Sequence, residues 1–219
     1  MSAESGVDAF RTPGGIWQRV NVEDVATPEG WARNPDLVTE FYNRRRKQLF
    51  EEVEPHRGHR LIAELEAHLE VEVITQNVDD LHERAGSSQV LHLHGELRRV
   101  RSSGPSGASV VWPRWEVRAT DRCPDGYRWR PDVVWFGEDV PHLDAAAERV
   151  ARADALLVLG TSLNVYPAAG LVHATAPGVP IFVIDPGEVD VAGAFTVRAT
   201  ASVGMELLWR AWLPDVPLP

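Results

Sequence analysis

The sequence has 219 residues, of which 44% are hydrophobic and 25% are charged, so it can bury a full core and has a globular composition. Asp and Glu number 32 against 22 Lys and Arg, and the net charge of −10 excludes a general nucleic-acid binder, which is normally basic. The single cysteine, Cys123, excludes a disulfide framework within the chain and a cysteine-rich zinc site. No signal-peptide pattern and no apolar run of membrane-spanning length is present, so we expect a cytoplasmic protein without a membrane partner.

In chain order, residues 1–27 are predicted to form a loop and residues 28–69 to form helices. Short apolar runs then alternate with segments of helical spacing. The predicted strands are 71–75, 90–93, 132–135, 155–159 and 180–184, and the predicted helices are 79–86, 143–153, 166–175 and 203–212. This alternation predicts an α/β fold with a parallel, doubly wound sheet. Residues 98–130 have little periodicity and are predicted to be an irregular insertion.

Polar side chains follow the first two predicted strands at their carboxyl ends, where open α/β sheets bind ligands. Gln76, Asn77 and Asp79 follow the first strand, and His94 ends the second. Amides can orient a ligand, a carboxylate can hold a hydroxyl, and an imidazole can move a proton near neutral pH. We therefore predict an enzyme that acts on a hydroxyl-rich ligand such as a nucleotide sugar. A histidine on an apolar strand is more often a packed core residue, and we assign that supporting role to His92.

Two later strand ends also carry candidate ligand-binding residues. Gly160, Thr161 and Ser162 follow the most apolar strand, and a glycine with hydroxyl and N–H groups suits a phosphate. A plain turn is the alternative, and the preceding buried strand favours ligand binding. Asp185 could accept hydrogen bonds from ribose hydroxyls or could simply initiate an Asp-Pro-Gly turn, and the sequence does not choose between the two.

Two further groups have a binding and a structural interpretation. Tyr42 and Arg45 are three residues apart on a predicted helix, so they share a face and could hold an acidic group. Spacing alone favours a solvated basic face, because Arg45 lies in the basic run 44–47. The β-prone run 133–138 could be an inner strand or an edge that accepts a peptide by strand addition, and its composition does not decide between them.

Four separate blocks, in this order, resemble the signature blocks of the sirtuin (Sir2) family. They are Thr75-Gln76-Asn77-Val78-Asp79, His92-Leu93-His94-Gly95, Arg130-Pro131-Asp132-Val133-Val134-Trp135-Phe136-Gly137-Glu138 and Gly160-Thr161-Ser162-Leu163-Asn164-Val165-Tyr166-Pro167. The resemblance extends from the first residue to about residue 210. It implies a Rossmann-type NAD domain with a smaller inserted domain, and removal of acyl groups from protein lysines with NAD as the cofactor. The implied domains are 1–27, 71–97 and 130–219 for NAD, 28–70 for the helical insertion, and 98–129 for the remnant of a zinc module.

The resemblance also implies roles for individual residues of the cofactor site. His94 matches the catalytic histidine of the family, the general base that frees a ribose hydroxyl. Gln76, Asn77 and Asp79 match the residues that hold the nicotinamide ribose and the carboxamide region. The other cofactor-binding positions implied by the resemblance are Phe10 and Arg11 at the end of a cofactor loop, and Gly160, Thr161 and Ser162 in the phosphate and ribose loop.

For the substrate, the resemblance implies two sets of contacts. Val134, Phe136 and Gly137 match the strand that pairs with the substrate peptide. Tyr42 and Arg45 are similar to the Tyr-x-x-Arg pair of class III sirtuins, which reads the carboxylate of succinyl- or malonyl-lysine. The resemblance therefore favours the binding interpretation of this pair and implies a preference for acidic acyl groups.

The sequence departs from the family in two regions. Sirtuins open with a strand and a Gly-Ala-Gly loop, whereas this sequence opens with Met1-Ser2-Ala3-Glu4-Ser5-Gly6, so we expect an upstream start or a fragment. Most sirtuins carry four zinc cysteines in the insertion, where only Cys123 remains. We therefore predict no bound metal, and we expect the aromatic residues of the insertion to form a small apolar cluster instead.

Two other functions stay open at this point. One is an NAD-dependent protein ADP-ribosyltransferase on the same scaffold, and the other is a non-catalytic binder of NAD or ADP-ribose. The presence of His94 beside Asn77 and Asp79 argues against the pure binder, which has no need for the imidazole. The sequence does not predict an oligomeric state.

Overall fold

The structure, a computed structural model, describes residues 1–7 and 15–219. Its α-helices are α1 (Ile16–Arg19), α2 (Val22–Val25), α3 (Pro28–Arg33), α4 (Pro35–Glu51), α5 (Arg57–Leu65), α6 (Leu81–Ala85), α7 (Leu143–Arg152) and α8 (Ala201–Trp212), with 3-10 helices at Ser2–Ser5 and Ala168–Ala174. Its strands are β1 (Val73–Thr75), β2 (Val90–His92), β3 (Gly95–Ser102), β4 (Ser109–Val111), β5 (Trp129–Val133), β6 (Leu156–Leu159), β7 (Ile181–Ile184) and β8 (Phe195–Val197). None of the described helices is long and apolar enough to cross a membrane.

Parallel strands form the centre of the larger part of the fold. β1 pairs with β2, and β6, β7 and β8 pair in that order, all in parallel. Helices α5 and α8 pack on one face through a core that contains Leu61, Met205 and Trp209. Helix α7 and the second 3-10 helix cover β1 and β2 through Ala146 and Ala168. The α/β fold with a parallel, doubly wound sheet is thus confirmed, and the short strand β8 is an addition to the predicted elements.

The insertion contains a regular antiparallel sheet, so its predicted irregularity is wrong. Its three strands are ordered β4–β3–β5, and β5 is an edge strand. The register of β3 against β5 shifts between Glu96 and Val100. This irregularity leaves Leu97 and Val100 three residues apart and both buried, which removes the alternation expected of a strand. The three arginines of β3 further weaken the apolar pattern by which a strand is predicted.

The helical layer begins earlier than predicted, because residues 16–25 of the predicted loop contain α1 and α2. Capping residues fix the starts of the next two helices. The Thr27 hydroxyl accepts the Gly30 N–H at 2.9 Å, and the Asn34 side chain accepts the Leu37 N–H at 3.1 Å. Helix α4 then buries Tyr42 and other apolar residues against β3, β5 and the segment after β1.

Candidate functional site

A cavity of about 390 Å³ lies at the carboxyl ends of β1, β6 and β7. Six of the sequence-predicted site residues line it: Arg45, Asn77, Asp79, Gly160, Ser162 and Asp185. Seven other predicted site residues are not among its lining residues: Tyr42, Gln76, His94, Val134, Phe136, Gly137 and Thr161. Phe10 and Arg11 lie outside the described residues. The cavity therefore joins three strand ends to helix α4, as the topology of an open α/β sheet favours.

Asn77 and Asp79 lie in the segment that follows β1 and are held by Ser2 and Thr75. The Asn77 side chain donates to the Ser2 hydroxyl at 2.7 Å, and the Asn77 N–H donates to the Thr75 hydroxyl at 3.0 Å. Asp79 is only 5% exposed. Burial raises the pKa of the Asp79 carboxyl, and a hydrogen bond with Ser2 partly opposes that shift. Ser2, whose hydroxyl contacts both residues, was not predicted as a site residue, because no motif marks it.

His94 is arranged as a neutral base. Its Nδ1 lies 3.2 Å from the Gln76 carbonyl oxygen. A carbonyl only accepts, so Nδ1 must carry the hydrogen, and Nε2 keeps its lone pair. Burial lowers the pKa of His94 below its usual value, and the bond with Gln76 opposes this only in part. The ring is therefore unprotonated near neutral pH, the state that a general base requires.

His92, two residues earlier, has its pKa shifted in the opposite direction. Its Nδ1 contacts the Asn77 carbonyl oxygen at 3.1 Å, and its Nε2 contacts a Glu83 carboxylate oxygen at 2.7 Å. Burial alone would lower the pKa of His92, but the hydrogen bond and charge of Glu83 outweigh it and raise the pKa. These contacts fit the predicted supporting role of His92, since the ring anchors the backbone beside Asn77.

The loop after β6 brings its backbone close to the start of the chain. Gly160 has a φ of +62°, and a Cβ atom there would lie 2.3 Å from the backbone nitrogen of Met1, so this position requires glycine. The Thr161 hydroxyl accepts the Leu163 N–H at 3.3 Å. The Asp185 carboxylate accepts the Gly187 N–H at 2.7 Å and also lines the cavity. The turn interpretation of Asp185 is thus borne out, and its contact with ribose hydroxyls stays a prediction.

Helix α4 separates its arginines. Arg44 is exposed and pairs with Glu40, as a solvated basic face requires. Arg45 is buried and lines the cavity, so the solvated-face interpretation is wrong for this residue. Tyr42 is 3% exposed, and its hydroxyl accepts the Trp135 indole N–H at 3.1 Å. The structure thus places Arg45 in the cavity wall and Tyr42 behind it.

The predicted peptide-pairing strand is shifted from its expected place. β5 ends at Val133, so Val134 lies in the irregular segment that follows, and Phe136 and Gly137 lie in the turn after it. The Val134 N–H donates to the His94 carbonyl at 2.9 Å, and the Phe136 N–H donates to the Ala26 carbonyl at 3.0 Å. These two N–H groups therefore already have acceptors within the chain and are not available to pair with a peptide strand.

The insertion has an apolar cluster at its centre, as expected from its aromatic residues. It consists of Val100, Val117, Cys123 and Trp129, with Trp112 packed against it. The Cys123 thiol is buried and donates to the Arg128 carbonyl at 3.3 Å. The thiol is thus part of the packing, and no group of metal-binding side chains is found in residues 1–7 and 15–219.

These features define a Rossmann-type nucleotide-binding protein with a helical layer and a small antiparallel module inserted into it. The family model of the Sir2 family matches residues 1–167, and the chain belongs to that family. An NAD-dependent protein deacylase of Bacteroides thetaiotaomicron is 51% identical over 222 residues, which cover 98% of this chain and 94% of that protein.

Two solved structures of Sir2 proteins are similar to this chain in fold as well as in sequence. The crystal structure of a Sir2 homologue–NAD complex has a TM-score of 0.87 and 40% identity, and the match covers 96% of this chain and 84% of that one. A Sir2 protein with a deacetylated p53 peptide and 3′-O-acetyl ADP-ribose has a TM-score of 0.80 and 28% identity, covering 96% and 89% of the two chains.

Proposed function

We propose that this member of the Sir2 family is an NAD-dependent protein-lysine deacylase that prefers succinyl- and malonyl-lysine. One observation carries the proposal: a single cavity joins the polar strand ends of the nucleotide-binding fold to the buried Arg45 of helix α4. The strand ends suit a dinucleotide, and the guanidinium suits an acidic group on the substrate. The name of the Bacteroides relative and the peptide complex of the second structure support a protein substrate.

The residues of the cavity fit NAD by their chemistry. The Asp79 and Asp185 carboxylates can accept hydrogen bonds from ribose hydroxyls, and the loop at Gly160 and Ser162 offers backbone and hydroxyl groups to a phosphate. The Asn77 amide can orient a carboxamide or a hydroxyl. NAD would supply a ribose carbon that takes the acyl oxygen as nicotinamide leaves, and with one water molecule the acyl group would end on ADP-ribose and the lysine amine would be released.

His94 supplies the base for this chemistry. Its Nδ1–H is held by the Gln76 carbonyl, which fixes the ring and leaves Nε2 as the proton acceptor. The lowered pKa of His94 keeps that atom unprotonated. With NAD bound, Nε2 would accept the proton of a ribose hydroxyl, whose oxygen would then bond to the carbon of the acyl group. His92 holds the backbone of the facing segment through the Asn77 carbonyl.

The preference for acidic acyl groups rests on the place of Arg45. A buried guanidinium beside a cavity gains a charge-assisted contact from a succinyl or malonyl carboxylate, and a neutral acetyl group offers none. Contacts with a charged partner contribute roughly 1.5–3 kcal/mol each, which corresponds to a preference of about tenfold or more. Tyr42, one turn earlier on α4 and behind the cavity wall, is the second group that the resemblance to class III sirtuins assigns to this carboxylate.

The test compares succinyl-lysine and acetyl-lysine peptides of identical sequence with the Arg45→Met variant. We expect the variant to lose desuccinylation by roughly tenfold or more while deacetylation changes little, so that the ratio of the two kcat/KM values narrows. The matched control is Arg44→Met, which removes the neighbouring exposed arginine of the same helix and should leave the ratio unchanged.

Three outcomes would contradict parts of the proposal. Equal losses on both peptides would show that Arg45 supports the fold and does not read the acyl group. Equal wild-type rates on both peptides would contradict the proposed acyl preference but not the deacylase activity. Transfer of label from NAD to protein, without release of deacylated peptide, would establish an ADP-ribosyltransferase in place of a deacylase.

A further inference from the structure

The hydroxyl of Tyr42 has one hydrogen-bond partner among the residues that the structure describes, and that partner is Trp135. The indole Nε1 lies 3.1 Å from the phenolic oxygen, and both side chains are buried, at 2% and 3% exposure. Trp135 comes from the segment after β5, whereas Tyr42 comes from α4. The contact therefore links the segment assigned to the substrate peptide with the helix assigned to the acyl group.

The direction of this hydrogen bond is fixed by chemistry. An indole nitrogen only donates, so the phenolic oxygen of Tyr42 is the acceptor. The hydrogen of the hydroxyl must then point away from Trp135. Burial raises the pKa of Tyr42 to about 12, and the bond from Trp135 and the charge of Arg45 oppose this only in part. Tyr42 is thus a phenol with a hydrogen to donate at any working pH.

The ring of Trp135 is itself held on several sides. The Arg130 guanidinium carbon lies 3.3 Å from the ring centroid, and Arg130 forms a two-bond ion pair with Glu138 at 2.7 and 3.0 Å. The same Glu138 carboxylate accepts the backbone N–H of Trp135 at 2.8 Å. Trp31 packs against the ring with centroids 5.9 Å apart. The indole N–H therefore has little freedom to turn away from Tyr42.

We infer that Trp135 is a positioning residue for acyl specificity: its indole N–H occupies an acceptor site of the Tyr42 hydroxyl and so directs the phenolic hydrogen to the carboxylate of an acidic acyl group. This inference rests on the proposed preference for succinyl- and malonyl-lysine. Without the indole N–H, the hydroxyl can rotate, and the fraction with its hydrogen aimed at the substrate falls. The reaction of an acetyl group, which has no carboxylate, does not depend on the direction of this hydrogen.

The test is a double-mutant cycle with Trp135→Phe and Tyr42→Phe, which remove the N–H and the O–H but keep an aromatic ring. We expect Trp135→Phe to lower kcat/KM for the succinyl peptide by roughly three- to tenfold, mainly through KM, and to change the acetyl peptide by less than about twofold. In the Tyr42→Phe background, Trp135→Phe should not change the ratio further, because its effect passes through the hydroxyl. Trp31→Phe, which alters the same core without that hydrogen bond, is the control.

A structural role for Trp135 would lower both substrates alike and would add to the effect of Tyr42→Phe, and that result would overturn the inference. If the wild-type enzyme prefers succinyl and Trp135→Phe leaves the preference intact, the inference is wrong and the proposed function stands. If the wild-type enzyme shows no preference, the proposed acyl specificity fails first and the inference fails with it.

A second measurement does not need turnover. The chain has 8 tryptophans, so the indole N–H resonance of Trp135 can be assigned in a nitrogen-15 spectrum by its loss in Trp135→Phe. We expect Tyr42→Phe to shift that resonance and to accelerate its exchange with water, because the indole loses its acceptor. An unchanged resonance would show that the hydrogen bond is not formed, and would overturn the inference whatever the activity.

Discussion

At the scale of single residues, the pKa values of the two histidines of the site shift in opposite directions because the rings face different partners. His92 contacts the carboxylate of Glu83 and has a raised pKa, whereas His94 contacts only a carbonyl oxygen and has a pKa lowered by burial. The spacing of the two residues was enough to predict one catalytic and one supporting role. It could not predict the ion pair, because Glu83 lies on a separate helix, α6.

The charge state of His94 leads to a prediction about pH. A base with a pKa below 6.5 loses activity only when the pH falls below that value, so the acidic limb of kcat/KM should lie below pH 6.5. His94→Ala should reduce kcat by about 10²–10⁴ and remove this limb. The control is His173→Ala, which changes an exposed histidine of the second 3-10 helix. Near-normal turnover of the His94 variant would contradict its assignment as the base.

At the scale of elements, hydrogen bonds from α4 hold the insertion in place. The Asn43 side chain donates to the Val117 carbonyl at 2.8 Å and accepts the Val117 N–H at 2.9 Å. The buried Arg46 donates to the Leu97 carbonyl at 2.7 Å and to the Trp115 carbonyl at 3.2 Å. A sequence does not show such pairs, because the partners are 51 to 74 residues apart and every residue offers the same backbone acceptor.

We predict that Asn43→Ala lowers the free energy of unfolding by about 1–3 kcal/mol, because it removes both hydrogen bonds and leaves the backbone groups of Val117 partly unpaired. Chemical denaturation of the two proteins measures the difference. Glu40→Ala, an exposed position on the same helix, should change stability far less. Equal effects of the two variants would show that the insertion does not depend on this contact.

The same element is predicted to fold without a metal. Cys123 is its only cysteine, and the thiol is packed in the apolar cluster, whereas a structural zinc almost always needs four protein ligands. Elemental analysis of the purified protein should therefore find no stoichiometric zinc, and treatment with a chelator should not change thermal stability. One tightly bound zinc per chain would contradict the prediction.

At the scale of the whole molecule, buried histidines link the stability of the fold to pH. The ring centroid of His59, a fully buried residue, lies 4.1 Å from that of His56 and 4.8 Å from that of His82. Burial, followed by the neighbouring histidine charges, lowers the pKa of His59 to about 2, and burial lowers that of His82 to about 4. The sequence shows these histidines only as separate residues of two helical segments, and their contact arises from the packing of α5 on α6.

The expected consequence is a loss of stability in acid. Both folded pKa values lie below the ordinary value of 6.5, so the unfolded chain binds more protons and the free energy of unfolding falls as the pH drops from 6.5 towards 4. Each histidine contributes a slope of at most about 1.4 kcal/mol per pH unit. Denaturation at several pH values should show a shallower slope for His59→Asn than for the wild type, and parallel slopes would refute the linkage.

The parallel sheet and its strand-end residues were predictable because the apolar runs are continuous and ligand-binding residues follow them directly. The cavity that joins Asp185 and Ser162 to Arg45 was not predictable from the sequence, because it depends on how α4 packs across the sheet edge. The end of β5 before Val134 was also not predictable, since the β-prone composition continues past Val133, the last paired residue.

The central claim is that this chain transfers an acidic acyl group from lysine to the ADP-ribosyl part of NAD. The most direct measurement is mass spectrometry of the full chain incubated with NAD and a succinyl-lysine peptide. We expect free lysine peptide, nicotinamide and O-succinyl-ADP-ribose in equal amounts. The acetyl-lysine peptide of the same sequence should react more slowly. Peptide that stays succinylated while ADP-ribose is attached to protein, or nicotinamide release without any deacylated peptide, would contradict it.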